Sequence, residues 1–294
     1  MKHWLIACVA IPFAVRALAA VTPEQAEEFF SGRGALEFPA PSREPASFPA
    51  SAPAAASKAK KLIYTIVKVH PHDTAAFTEG LFFHDGYLYE SVGMEGQSEV
   101  RKVDVNTGRV VSAAVSPDKV FGEGVALAGA RLIQLTYTEG RAFVYDFATM
   151  RLTGEFQYKG EGWGLTTDGL TLIMSDGSDS IAFRDPETFA ARRKVRVTLN
   201  GKAVKNINEL EYVEGAIWAN VWKDDRILRI DPASGRVTGV LNMAGLLDKK
   251  IQLSLPEPDE DVLNGIAYDP ASGHFFVTGK CWPSLYEIAV SEGD

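Results

Sequence analysis

A chain of 294 residues with 46% hydrophobic side chains is long enough to bury a sizeable core. Its net charge of −8, from 38 acidic against 30 basic residues, argues against nucleic acid or an anionic membrane as the main partner, because both reward clustered Lys and Arg. Two cysteines are too few for a disulfide-stapled fold.

The first 20 residues read as a signal peptide. Lys2 and His3 give a positive end, residues 4–15 are almost all apolar, and Ala17-Leu18-Ala19 offers a small-x-small cleavage site near Ala19 and Ala20. The apolar run is too short to span a bilayer comfortably, so no membrane span is expected. The expected location is therefore exported, periplasmic or secreted. Cys8 leaves with the signal, and Cys281 is then left without an intramolecular partner. A lone Cys beside Trp282 is more often a small packed residue than a nucleophile.

Residues 21–60 differ from the rest. Thr22 can cap a short helix reaching Phe30, with Pro23 at its first position. A Pro/Ala/Ser-rich tract from Pro39 to Ser57 reads as a linker that buries too little apolar surface to offset its ordering entropy. Residues 61–294 change character. Short β-branched and aromatic runs alternate with Gly, Asp and Asn turns, and no long stretch has helical period, which is the pattern of an all-β domain.

Five segments of that domain share one shape: Phe77-Thr-Glu-Gly-Leu81, Phe121-Gly-Glu-Gly-Val125, Gly162-Trp-Gly-Leu165, Ile207-Asn-Glu-Leu210 and Leu263-Asn-Gly-Ile266. Gly80, Gly124, Gly164, Glu209 and Gly265 align at spacings of 44, 40, 45 and 56 residues, the last carrying an insertion, Leu246 to Asp261, expected to be a surface loop. A second element follows each of the five, the last as a degraded copy at Tyr286-Glu-Ile-Ala-Val290. Asp104, Asp146, Asp185 and Asp231 each begin a strand-end turn that closes an outer hairpin. A period of 40–45 residues with four short strands per unit predicts a five-bladed β-propeller. The fifth unit lacks its outermost strand, which Leu62 to Val69 can supply.

In such a fold the innermost strands begin at one mouth of the central channel. The residue before each aligned position is Glu79, Glu123, Trp163, Asn208 or Asn264, so five polar or N–H-bearing side chains converge. Phe77, Phe121, Trp218, Trp222 and Trp282 surround them, although an aromatic taken alone is more often core. Lys280 ends the strand after the fifth unit. The five histidines show no ligand spacing on a shared element, and neither triad nor phosphate-loop signatures occur. If chemistry occurs, Glu123 or Glu79 is the natural acid/base.

Several of these motifs are long: Phe121-Gly-Glu-Gly-Val-Ala-Leu127, Gly162-Trp-Gly-Leu-Thr-Thr-Asp-Gly169, Ser175-Asp-Gly-Ser178, Asn208-Glu-Leu-Glu-Tyr212, Trp218-Ala-Asn-Val-Trp222, Asp261-Val-Leu-Asn-Gly-Ile-Ala267, Val277-Thr-Gly-Lys280 and Trp282-Pro283. From Leu62 to Ile288, in order, the chain resembles the plant and bacterial glutaminyl cyclases. The resemblance implies a five-bladed propeller that cyclises N-terminal glutamine on peptides or proteins, with no cofactor and no metal, in a fold unrelated to the zinc-dependent animal enzymes. It implies that Glu123 is the essential acid/base and that Phe77, Phe121, Trp163, Asn208, Trp222 and Lys280 form the substrate site, Lys280 with a catalytic part. Glu79 stands where the plant enzymes have Gln in this motif, which leaves its role open. The expected partner is a peptide with N-terminal glutamine, and the expected state is a monomer. The competing class is a non-catalytic envelope propeller that binds a partner at the same mouth. A lactonase-like metal site ranks third, because only Glu79, Glu123 and Glu209 approach the carboxylate set it needs.

Overall fold

A computed structural model describes residues 58–293, so the signal and linker regions lie outside the described residues. The described part is all-β, apart from one short helix, and is built from antiparallel four-stranded units. After β1 (Lys60–Pro71), the first unit is β2 (Thr78–His84), β3 (Tyr87–Val92), β4 (Glu99–Asp104) and β5 (Val110–Val115). The second is β6 (Gly122–Ala128), β7 (Arg131–Thr136), β8 (Arg141–Asp146) and β9 (Leu152–Gln157). The third is β10 (Leu165–Thr167), β11 (Leu172–Ser175), β12 (Ser180–Arg184) and β13 (Ala191–Arg196). A small hairpin, β14 (Thr198–Leu199) and β15 (Lys202–Ala203), precedes β16 (Ile207–Val213), β17 (Ala216–Val221), β18 (Arg226–Ile230) and β19 (Val237–Asn242). The helix α1 (Lys249–Gln252) comes next, and β20 (Leu263–Asp269), β21 (His274–Gly279) and β22 (Ser284–Glu292) complete the chain.

β1 lies antiparallel to β22 from Leu62 against Glu292 to Pro71 against Ser284, so the start of the domain supplies the fourth strand of its last unit. Lys60 to Leu62 also run parallel to β19, which joins the last two units into one eight-stranded sheet. The four Asp turns close the outer hairpins as the repeat predicts. Asp104 accepts from the Thr107 amide, Asp146 from Thr149, Asp185 from Thr188 and Asp231 from Ala233.

Burial decreases outward within each unit. β2 and β6 are buried along their first five residues, whereas β5, β9 and β13 are mostly exposed. First strands touch one another in the cyclic order β2, β6, β10, β16, β20 and back to β2. The apolar clusters follow the same cycle. Phe82, Val100, Leu132 and Phe143 fill the space between the first two units, and Leu81, Leu88, Phe276 and Leu285 fill it between the last and the first. The arrangement is propeller-like.

The aligned glycines explain how the first strands come so close. A Cβ on Gly80 would lie 2.6 Å from the Val125 amide nitrogen, and one on Gly124 or Gly164 would strike the backbone of Leu165 or Asn208. Glu209 is the exception in that column. Its carboxyl accepts from the backbone amides of Leu81 at 3.3 Å and Ile266 at 2.8 Å, tying the fourth unit to the first and fifth.

The insertion from Leu246 to Asp261 departs from expectation. It carries α1, and both Leu246 and Leu247 are buried in the cluster of Trp218, Phe275 and Trp282, with Asp261 only 1% exposed. It is partly core, because two consecutive leucines gain more from packing than from a surface position.

Candidate active site

Four of the five convergent residues are the second residue of their first strand: Glu79, Glu123, Asn208 and Asn264. Pairing with the neighbouring strand slips at each of these places, between Thr78 and Gly80, Gly122 and Val125, Ile207 and Leu210, and Leu263 and Ile266. A bulge takes a residue out of the ladder and re-aims its side chain. In the third unit β10 begins at Leu165, so Trp163 precedes the strand altogether. Its carbonyl accepts from the Gly124 amide at 2.7 Å, which places Trp163 beside Glu123 in the ring.

Glu79, Glu123, Asn208, Asn264 and Lys280 are all at most 6% exposed. The Lys280 ammonium donates to Glu79 Oε1 at 2.6 Å, and Asn264 Nδ2 donates to Glu79 Oε2 at 3.1 Å. Lys280 also lies 4.5 Å from the centre of the Phe77 ring, a desolvated cation–π contact. The structure thus pairs Lys280 with Glu79. The Glu123 carboxyl makes no protein hydrogen bond among the described residues. Burial pushes its pKa well above the usual carboxylate range, the Glu79 charge adds to this, Lys280 opposes it, and Glu161 and Glu139 add further. Burial also raises Glu79, with Lys280 pulling it back down. The two carboxylates are therefore electrostatically linked.

Aromatic rings form a continuous arc beside this pair. Phe77 meets Phe121 edge-on at 6.0 Å, Phe121 meets Tyr137 at 6.1 Å, Tyr137 meets Trp163 at 6.4 Å, and Trp163 meets Trp222 at 5.8 Å and 89°. All five rings keep some exposure. Trp218 and Trp282, by contrast, are core, and the Trp282 indole N–H is spent on the Asp261 carbonyl. The Trp163 indole N–H donates to Glu161 at 3.0 Å, while that of Trp222 has no protein partner among the described residues. Asn208 Oδ1 is a buried acceptor without a partner, whereas its backbone carbonyl is held by Ser175 Oγ at 2.7 Å.

Sequence reasoning missed Tyr137 and Glu161, which only the strand geometry brings to the arc. It also missed the polar support behind Lys280. His72 contacts the Trp282 carbonyl at 2.6 Å and Glu90 at 3.0 Å, and Glu90 accepts from Thr78 Oγ1 at 2.7 Å. That chain links the turn carrying Lys280 to the strand carrying Glu79. Burial opposes a charge on His72, but Glu90 outweighs it and raises the imidazole pKa. Cys281 is a poor nucleophile, since burial pushes its thiol up to about 12. Among the described residues no three His, Cys, Asp or Glu side chains are grouped to hold a metal ion.

A linked pair of buried carboxylates, one neutralised by a lysine and one free of protein partners, suits proton transfer beside an aromatic clamp. Known proteins share this chain's sequence and fold. A family model described as glutamine cyclotransferase matches residues 43–290. A glutaminyl-peptide cyclotransferase of Arabidopsis thaliana is 40% identical over 229 residues, covering 77% of this chain and 71% of the plant protein. The crystal structure of Myxococcus xanthus glutaminyl cyclase superimposes with a TM-score of 0.75 at 39% identity, covering 81% of this chain and all of that one. On sequence and fold together, the chain belongs to the glutamine cyclotransferase family.

Proposed function

We propose that the protein is a five-bladed β-propeller acyltransferase that converts N-terminal glutamine of peptides or proteins to pyroglutamate without a metal ion. The observation that carries the reading is a buried Glu123 with a raised pKa and no side-chain hydrogen bond among the described residues, set beside the Phe77–Trp222 arc. Support for five blades is the cyclic contact of five first strands, with β1 completing the last unit.

In this mechanism the α-amine nitrogen attacks the side-chain carboxamide carbon. A C–N bond forms to close the ring, and the bond to the carboxamide nitrogen breaks to release ammonia. Both groups belong to one residue, so holding the side chain folded supplies much of the rate. Trp163 and Trp222, in edge-to-face contact at 5.8 Å, form an apolar corner against which the alkyl chain packs. Glu123 takes a proton from the attacking nitrogen and delivers one to the leaving nitrogen, a role for which a carboxyl raised by burial and by the Glu79 charge is suited. Asn208 Oδ1 accepts from a substrate N–H. The Trp222 indole N–H is free to donate to the carboxamide oxygen, as Lys280 can once its bond to Glu79 loosens. Glu79 holds Lys280 in place. Export by the N-terminal signal, and action as a monomer, belong to the same proposal.

The test is ammonia release from a glutamine-initiated peptide, with and without a chelator. Equal release in both supports the reading. Binding of peptides without release would favour the scaffold alternative, and loss of activity restored only by zinc would favour metal chemistry.

A further inference from the structure

Trp222 belongs to two surfaces. One side meets Trp163 in the arc. Trp222 also lines an open groove of about 620 Å³ with Lys202, Lys205, Asn206, Lys223 and Arg226. The outer wall of the groove is the β14–β15 hairpin, an extra element between the third and fourth units. It is firmly seated: Val197 at its base is fully buried, its amide donates to the Asp179 carbonyl, and the Val204 amide donates back to Val197. Trp222 is fixed to the same wall, since its amide donates to the Asn206 carbonyl at 2.9 Å.

The charge of this groove is opposite to that of the whole protein. Its lining holds four cations and one acid, Asp224, which is taken up by Arg226 at 2.8 Å. Lys223 is held by Glu260 and lies over the Trp222 ring at 4.6 Å. The Lys202 and Lys205 side chains are exposed and make no hydrogen bond or ion pair among the described residues, although the Lys205 charge reaches Asp179. The arc on the near side of Trp222 is acidic: Glu161 bonds Trp163, the ring that meets Trp222, and Glu161 and Glu139 both act on Glu123. A peptide whose positive N-terminus lies at Glu123 thus meets negative charge there and positive charge beyond Trp222.

We infer that the groove beside Trp222 is the subsite for the peptide chain that follows the N-terminal glutamine, and that Lys202 and Lys205 select acidic side chains at its third to fifth positions. This rests on the cyclase reading above. Extended residues advance roughly 3.3–3.6 Å each, so a few residues carry the chain from the arc along the groove. Exposed charges contribute modestly and are screened by salt, so the preference should be several-fold and salt-sensitive. It should act on KM rather than kcat, because these contacts are equal in the ground and transition states.

The experiment uses the full chain and three peptides, each beginning with glutamine and carrying Ala, Glu or Lys at positions three to five. kcat/KM is read for ammonia loss at low and high salt, for the parent and for a Lys202→Ala/Lys205→Ala variant. Binding of the same peptides, labelled at the C-terminus, is read in parallel by fluorescence anisotropy. The expected result is that the Glu peptide exceeds the Ala peptide by roughly threefold to tenfold at low salt, through KM, with the Lys peptide lowest. In the variant, and at high salt, the Glu/Ala ratio should fall to about one. Equal values for the three peptides, or a preference that survives in the variant, would overturn the inference. Failure of every peptide to lose ammonia would sink the cyclase reading instead, and the anisotropy ratios would still decide the groove.

Discussion

Replacing Lys280 by Met removes the cation opposite Glu79 and over the Phe77 ring while keeping a side chain of similar length. The two charged side chains are 7% and 2% exposed and 2.6 Å apart, so the carboxylate left behind has only the Asn264 amide as a side-chain partner. Removing one member of a buried pair costs about 3–5 kcal/mol. For a domain of this size that lowers the melting temperature by roughly 6–20 °C. Protonation of Glu79 limits the loss, and this gives the effect a pH signature. Burial already holds the Glu79 pKa above its usual value, and Lys280 is what pulls it down. Without Lys280 it rises further. A carboxyl whose folded pKa is raised contributes stability that is present below the unfolded pKa and is lost as pH rises through the folded one. The cost of Lys280→Met should therefore be smallest near pH 4–5 and largest near pH 8. Adding Glu79→Gln should recover most of it, since replacing both partners of a buried pair is often nearly neutral. Urea denaturation of the parent, both single variants and the double variant at those two pH values gives the coupling. Equal cost at both pH values, or additive single effects, would mean that Lys280 and Glu79 are not a coupled buried pair.

Glu123→Gln keeps size and removes the proton carrier, so ammonia release should fall by about 10²–10⁴-fold while the protein stays folded and, because a raised carboxyl pKa withdraws stability as pH rises, melts no lower than the parent at neutral pH; retention of more than about a tenth of the activity would end its assignment as acid/base. Glu79→Gln should stay active. Because it deletes the like charge that helps raise Glu123, the acid limb of kcat/KM should move to lower pH, and an unmoved limb would mean that the two carboxyls are not linked. Glu211 is buried and its pKa is pushed up to about 8 by burial, so it withdraws stability as pH rises from its unfolded value to about 8. Glu211→Gln should flatten that decline, by up to about 1.4 kcal/mol per pH unit, and denaturant midpoints that stay parallel to the parent's between pH 5 and 8 would contradict it.

Much of this architecture was legible in the chain because close packing leaves marks on residue type. Gly80, Gly124 and Gly164 recur because no Cβ fits between neighbouring first strands. Asp104, Asp146, Asp185 and Asp231 recur because each outer hairpin needs its turn capped. The convergence of Glu79, Glu123, Asn208 and Asn264 followed from that alignment. Which of these groups would bond was not legible. Lys280 and Glu79 are 201 residues apart, and nothing local says that the lysine meets Glu79 and not Glu123. The bulges that turn these residues out of their ladders depend on pairing between strands and leave no residue-type signal. Glu209 did leave one, as the single acid in a glycine column, but its role as a bridge between units needed the positions of the Leu81 and Ile266 amides. The partly buried insertion was marked by Leu246-Leu247, an apolar pair too short to separate core from surface by pattern.

In the proposed reaction one residue's amine displaces ammonia from its own side chain, with Glu123 moving the protons. The most direct measurement is mass spectrometry of a glutamine-initiated peptide carrying an isotopic label on the side-chain nitrogen, incubated with the parent and with Glu123→Gln. The expected product has lost ammonia and its N-terminus no longer reacts with amine reagents, all of the label is in the released ammonia, and the variant converts almost none. A product that keeps the label, a side chain hydrolysed to glutamate with its amine still free, or equal conversion by the variant would contradict this reaction.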